Sequence, residues 1–465
     1  MKVKLTEIPG SVVAPQGFRA AGVFCDIKRL GTGKGSEKGR KRDLALIVSN
    51  VPGTVAGLFT TNQVCAAPVK VCIARVRKGR AQAFVINSGN ANACTGKQGL
   101  KDALSMVRFA EQALGLPDGT TLVGSTGRIG VTMPMDNVHA GIIEAAVELG
   151  ATPDHADHAA EAIMTSDTRA KQVAVELKLG GRITRIGGIC KGAGMIQPGM
   201  SPTGRRPAVT ALHATMLCFI TTDAAISAPV LQRALNDAVA TSFNRITVDG
   251  DMSTNDTVLV LANGLAGAPT ATGPASRLSS RGVREGRAHR PSRITDVRSP
   301  EFNAFREALS YVCLELAKMI VRDGEGVSRF VTVRVNGARS FADADAAVRA
   351  VANSALVKSS WNGGDPNWGR IIDALGYSPA AIVEEKVDIG YSAPGSRHVV
   401  WSLKRGQPTK TAFKELCAAV APKEFELHIN LNLGSASALM YAADLTEEYV
   451  EFNKGDVTDP ASLGG

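Results

Sequence analysis

The usual parts for chemistry are mostly missing from this chain. Its seven histidines, His139, His155, His158, His213, His289, His398 and His428, stand in no Gly-x-Ser-x-Gly or His-Glu-x-x-His context. His155 with His158 reads as a solvated helix face. Gly33-Lys34 is followed by glycine, and the first glycine of a phosphate loop would be Lys28, so a P-loop is excluded. Asp249-Gly250-Asp251 opens like a calcium loop, but the glycine that loop needs is Thr254 and its last ligand is Val260. Asx turns account for those aspartates. Hydroxyl, amine and carboxylate chemistry is what remains. Lys191 lies in a glycine-rich turn, and Thr215 heads the run Thr215–Asp223, whose centre is wholly apolar in the manner of a fully buried strand. A β-branched residue at a strand start is ordinarily just a strand residue. If such a threonine is a nucleophile, its base is its own α-amine, freed by a cut in the chain. An ordinary amine pKa of about 7.7 to 8.0 leaves a neutral fraction near pH 7.

The elements that must position these residues follow from periodicity. Short apolar runs at Leu44–Ser49, Thr54–Thr60, Val69–Val76 and Ala81–Asn87 read as strands. Gly96–Gly115 has helical spacing with Gly115 as its cap, and a strand then ends in Gly124-Ser125-Thr126-Gly127. Helices follow at Asp136–Gly150 and His155–Met164. Val173–Leu179 and Arg182–Ile186 form a hairpin about Gly180-Gly181, so Thr165-Ser166-Asp167-Thr168 and Lys191-Gly192 stand at the two ends of one hairpin. Beyond the central run come helices at Ala228–Phe243, Glu301–Ile320, Phe341–Lys358 and Thr411–Ala421. The strands are Thr257–Ala262, Arg329–Val335, Glu424–Leu433 and Ala436–Tyr441. Strands and helices do not alternate one for one, so an α+β layered sandwich is expected.

At 465 residues the chain exceeds a single core, and two lobes are expected. No run is long and apolar enough to span a bilayer, and Met1–Val13 lacks the apolar centre of a secretory signal, so the reading is cytoplasmic. The eight cysteines are dispersed with no C-x-x-C, which points to buried thiols rather than a disulfide frame or a metal site. The net charge of +10 comes from two segments: Lys28–Arg42, net +6, and Ala271–Pro300, net +5. Neither carries an aromatic for base stacking, so both read as solvated insertions rather than a nucleic-acid site.

Several long motifs then fall in order along nearly the whole chain. They are FTTNQVCAAPV (Phe59–Val69), INSGNANACTG (Ile86–Gly96), KGAGMIQPGM (Lys191–Met200), ATMLCFITTDA (Ala214–Ala224), TVDGDMSTNDT (Thr247–Thr257) and DPNWGRI (Asp365–Ile371). Together they resemble the ornithine acetyltransferase family, also called glutamate N-acetyltransferases. The resemblance implies an α/β/β/α-type sandwich in two lobes, shared with DmpA-like enzymes. It also implies self-cleavage between Ala214 and Thr215, giving an α chain (1–214) and a β chain (215–465) in a heterotetramer of two of each. Thr215 would be the nucleophile and Thr126 with Gly127 the oxyanion hole. Thr165, Lys191, Thr215, Glu325, Asn453 and Thr458 would bind substrate. A ping-pong exchange of acetyl from N2-acetyl-L-ornithine to L-glutamate is implied, with no metal or organic cofactor. Acetyl-CoA would enter only as a substrate of a second, N-acetylglutamate-forming activity. The alternative on the same scaffold is an N-terminal-nucleophile aminopeptidase or amidase. One departure stands out: Ser201–His213 intervenes where the family runs straight from Met200 to Ala214.

Overall fold

The computed structural model describes residues 3–28, 41–205, 216–266 and 293–454. Ala214, Thr215, Thr458 and most of the two basic segments lie outside the described residues. The α+β class expected from the sequence is the class observed, in two mixed sheets.

The first sheet has ten strands. In spatial order eight of them run Thr6–Glu7, Lys171–Leu179, Arg182–Lys191, Leu217–Thr222, Thr257–Ala262, Leu44–Thr60, Arg80–Asn90 and Thr121–Arg128. Phe18–Val23 and Met200–Ser201 also pair with Leu44–Thr60. The strands on either side of the expected cleavage point therefore share one sheet. Leu217–Thr222 lies parallel to Thr257–Ala262 and antiparallel to Arg182–Lys191. Its apolar character has a direct cause: Leu217 and Phe219 enter one core while Cys218 and Ile220 enter the core on the opposite face. The first core takes in Met106 and Ile142 from the helices Gly96–Leu114 and Met135–Val147. The second takes in Leu231 of Ala228–Ala240 and Leu316 of Pro300–Arg322.

The second sheet has seven strands and pairs Phe330–Ala338 parallel to Glu424–Asn430 and antiparallel to Ala436–Ala443. Phe330 and Ala443 contribute to the second core, and their neighbours Val331 and Ala442 to a third one with Val348 and Trp361. Alternation along these strands thus joins the two sheets into one body.

The expected hairpin is present: Lys171–Leu179 pairs with Arg182–Lys191, and Gly180 and Gly181 take φ of 54° and 80°, as a type I′ turn requires. Three expectations are corrected. Val69–Val76 is not a strand but part of a helix, Ala67–Val76, begun by Pro68, whose fixed φ suits a first helical turn. Ala67, Val69, Val71 and Cys72 are buried, so packing overrides the β-branched propensity. The expected helix Phe341–Lys358 is two helices, broken at Ser354, whose extended backbone lets its hydroxyl accept the Val357 N–H at 3.3 Å. Leu44–Ser49 and Thr54–Thr60 are one strand, with its register shifting between Val48 and Gly53. Five of the eight cysteines are buried and none is paired; Cys94 is exposed.

Candidate active site

The hairpin carries Lys191 and the Thr165–Thr168 turn to one place. Asp167, buried at its centre, accepts the Gly192 N–H on Oδ1 at 2.8 Å and the Thr165 N–H on Oδ2 at 3.0 Å. Lys171, 1% exposed, sets its ammonium 2.6 Å from Asp167 Oδ1 and 2.5 Å from Asp323 Oδ2. Asp323 ends the helix Pro300–Arg322 and also accepts the Thr168 N–H at 3.1 Å and the Thr168 hydroxyl. One buried lysine therefore locks the Thr165 turn, the Lys191 turn and the Asp323-Gly324-Glu325 turn together. Burial alone would raise the Asp167 carboxyl, but the Lys191 and Lys171 ammonium groups outweigh it and hold the carboxyl well below its usual range. Burial would likewise lower Lys171, yet Asp167 and Asp323 push it up.

Glu325 closes this arrangement. Its N–H donates to Ala193 O at 2.9 Å, and its Oε2 accepts from Asn453 Nδ2 at 3.0 Å. Gly194 leaves room for it: a Cβ there would lie 2.3 Å from Glu325 Oε2 and would displace the carboxylate. Lys191 itself is 3% exposed, and its ammonium makes no hydrogen bond or ion pair among the described residues. Burial pulls its pKa down, although Asp167, Glu325 and Asp256 act the other way. A buried ammonium without a direct partner, facing a half-buried carboxylate across a short turn, suits an amino-acid ligand that brings both charges.

Thr126 and Gly127 end the strand Thr121–Arg128, which lies parallel to Arg80–Asn90 with Gly127 opposite Gly89. Gly127 has φ of 127°, and a Cβ on it would meet Gly89 C at 2.3 Å, so only glycine fits. Thr126 is buried and Gly127 exposed, and no hydrogen bond of the Thr126 hydroxyl is made among the described residues.

A link that the sequence reading missed joins this strand end to the start of Leu217–Thr222. Asn255 Nδ2 donates to Ser125 O at 2.8 Å and to Ala91 O at 2.6 Å. Its neighbour Asp256 accepts the Met216 N–H on Oδ1. Asp249 of the same segment forms the expected Asx turn to the Asp251 N–H at 3.1 Å, and also accepts the Met195 and Ile196 N–H groups at 2.6 and 2.8 Å. The density of Asp, Asn, Ser and Thr in Thr247–Thr257, flanked by short strands, was the signal that could have marked it as a scaffold.

Of the expected site residues, Thr165, Lys191, Glu325 and Asn453 are thus brought together. Thr126 and Gly127 reach the same strand start through Asn255 and Asp256. Ala214, Thr215 and Thr458 lie outside the described residues, with Met216 and Lys454 the nearest described positions along the chain.

The model of the ArgJ family matches residues 19–456. The arginine biosynthesis bifunctional protein ArgJ of Symbiobacterium thermophilum is 45% identical over 96% of this chain and 98% of its own. The glutamate N-acetyltransferase of Methanocaldococcus jannaschii is 40% identical, again over 96% of this chain and 98% of its own. A solved Mycobacterium tuberculosis structure, described as ornithine acetyltransferase complexed with ornithine, matches in full to 43% of this chain at 36% identity and a TM-score of 0.38.

Proposed function

Because the chain belongs to the ArgJ family and is an acyltransferase of arginine biosynthesis, we propose that it moves the acetyl group of N2-acetyl-L-ornithine to L-glutamate through a threonine ester. The observation that carries the proposal is the buried Lys191 ammonium, which has no ion-pair partner among the described residues, set across the Ala193-Gly194 turn from Glu325. In this reading Lys191 pairs the substrate's α-carboxylate and Glu325, oriented by Asn453, pairs a substrate ammonium. Thr165 and Thr458 complete the binding contacts.

The nucleophile is the Thr215 hydroxyl, unmasked by cleavage of the Ala214-Thr215 bond into chains of 1–214 and 215–465. The freed α-amine takes the hydroxyl proton as Oγ attacks the acetyl carbonyl; the tetrahedral oxyanion is stabilised at Thr126 and Gly127; ornithine leaves on protonation of its nitrogen. Glutamate's amine then attacks the ester in the reverse sense. The acetyl group passes directly from amine to hydroxyl to amine, so the cycle calls for no cofactor. The two chains assemble as a heterotetramer of two of each in the cytoplasm. Among the described residues no helix is long and apolar enough to cross a membrane.

The test is acetyl exchange by the purified protein, with denaturing electrophoresis and N-terminal sequencing of its chains. Ornithine release that requires glutamate, from a sample whose second chain opens Thr-Met-Leu-Cys, is the expected result. Release at full rate without glutamate would identify a hydrolase instead. Full exchange activity in an unbroken polypeptide would overturn the threonine mechanism.

A further inference from the structure

The end of the strand Thr121–Arg128 is held by more than its own ladder. It pairs in parallel with Arg80–Asn90 from Ala83 opposite Thr121 to Gly89 opposite Gly127, and there the register breaks, so that Asn90 faces both Thr126 and Arg128. Regular strand pairing no longer fixes Thr126 and Gly127, and irregularities of this kind re-aim groups beside active sites. The two backbones still touch closely. A Cβ on Gly127 would lie 2.3 Å from Gly89 C and 2.6 Å from Asn90 N.

One buried side chain closes around that contact. Asn255, 2% exposed, donates from Nδ2 to Ser125 O at 2.8 Å, just before Thr126, and to Ala91 O at 2.6 Å, just after Asn90. Its amide thus clamps both strands across the point where their ladder fails. The amide's orientation is itself fixed: Oδ1 accepts the Thr254 hydroxyl, and turning the group over would set Oδ1 against two carbonyl oxygens. The Asn255 N–H donates to Ser253 Oγ at 2.8 Å, and the Ala66 N–H donates to Thr254 O at 2.9 Å, so the segment that carries the clamp is anchored in turn.

We propose that Asn255 is a positioning residue for the oxyanion hole, an inference that rests on the assignment of Thr126 and Gly127 above. It acts through the backbone of Ser125 rather than on the substrate. Donors to an oxyanion help only if they are in place before the charge forms, and a displaced donor weakens the transition state more than the bound ground state. Loss of the clamp should therefore appear in kcat and leave KM nearly unchanged.

The experiment is steady-state acetyl exchange by the whole protein, with rates expressed per cleaved chain counted on denaturing gels. Asn255→Asp keeps the shape of the side chain and an oxygen for the Thr254 hydroxyl, but puts an oxygen where both carbonyls need a donor. Its kcat is expected to fall about 30-fold or more, with the KM for N2-acetyl-L-ornithine within about threefold of wild type. A kcat within about threefold of wild type, or a KM that rises as far as kcat falls, would overturn the proposal. Should the Asp chain misfold, Thr254→Val decides. It is close in shape and frees only the Oδ1 side of the amide, so kcat is expected to fall about 3- to 10-fold at unchanged KM; an unchanged kcat counts against the clamp. Gly127→Ala separates the two claims. If it keeps wild-type kinetics, the oxyanion reading itself fails; if it loses kcat while Asn255→Asp keeps it, only the role of Asn255 fails.

Discussion

Replacing Lys171 with methionine keeps the length of the side chain and removes the ammonium shared by Asp167 and Asp323. Both contacts are short, 2.6 and 2.5 Å, and Lys171 is 1% exposed, so solvent cannot take over its role. Removing one partner of a buried ion pair costs about 3–5 kcal/mol. The lower end is expected here, because Asp167 keeps the N–H groups of Gly192 and Thr165, and Asp323 keeps those of Thr168. Loss of the bridge leaves the Glu325 N–H to Ala193 O bond to hold the Lys191 and Glu325 turns together, so the KM for N2-acetyl-L-ornithine should rise together with the loss of stability. The assay is denaturant unfolding of variant and wild type, compared at constant slope, beside steady-state kinetics. The pH dependence follows from the two shifts. Asp167 is depressed below its ordinary 3.8, so its contribution is present above that value and is lost as pH falls through the folded pKa; Lys171 is raised above 10.5, so its contribution is present below 10.5 and is lost as pH rises through the folded pKa. The difference between variant and wild type should therefore be constant between those limits. A cost below about 1 kcal/mol, the size of an exposed pair, would refute the reasoning.

Two further outcomes follow from the same geometry. Lys191→Met removes a buried ammonium with no direct partner, so stability should fall by no more than about 1 kcal/mol while the KM for the acetylated donor rises about 10- to 100-fold, as loss of a charged hydrogen bond would give; an unchanged KM would remove Lys191 from the binding site. Gly127→Ala forces a Cβ against Gly89 at a φ of 127°, and displacing that strand end should lower kcat about 100-fold with a smaller effect on KM; kinetics like wild type would show that Gly127 does not face the oxyanion.

Much of this arrangement could be read from residues before any coordinates. The alternation of Val173–Leu179 about a Gly-Gly turn placed Lys191 near Thr165, because a hairpin must bring its ends together. The wholly apolar run after Thr215 announced a strand buried on both faces, and it lies between two cores. The errors share a cause in tertiary packing. Val69–Val76 has strand propensity, yet Pro68 and a stripe of buried residues make it helical. Asn255 and Asp256 went unnoticed because their partners, Ser125, Ala91 and Met216, are distant in sequence, and no local pattern records a hydrogen bond across 40 or 130 residues.

The limits of sequence reading are clearest in the two lysines at the hairpin's base. Lys171 stands opposite Cys190 in the register, one residue from Lys191, and nothing in composition or spacing separates the two. Burial makes both costly as charges. One meets two carboxylates directly, so its cost is offset inside the protein and its role is to hold three turns in place. The other touches none directly, so Asp167, Glu325 and Asp256 offset its cost only in part, through space, and the rest is left for something anionic that arrives. A buried cation with its partners in the fold stabilises the fold; a buried cation without them leaves a binding energy for a ligand to realise. Exchanging these environments, by Asp167→Asn for example, should weaken the fold and the ligand site at once, because Asp167 is the group that touches Lys171 directly and acts on Lys191 through space.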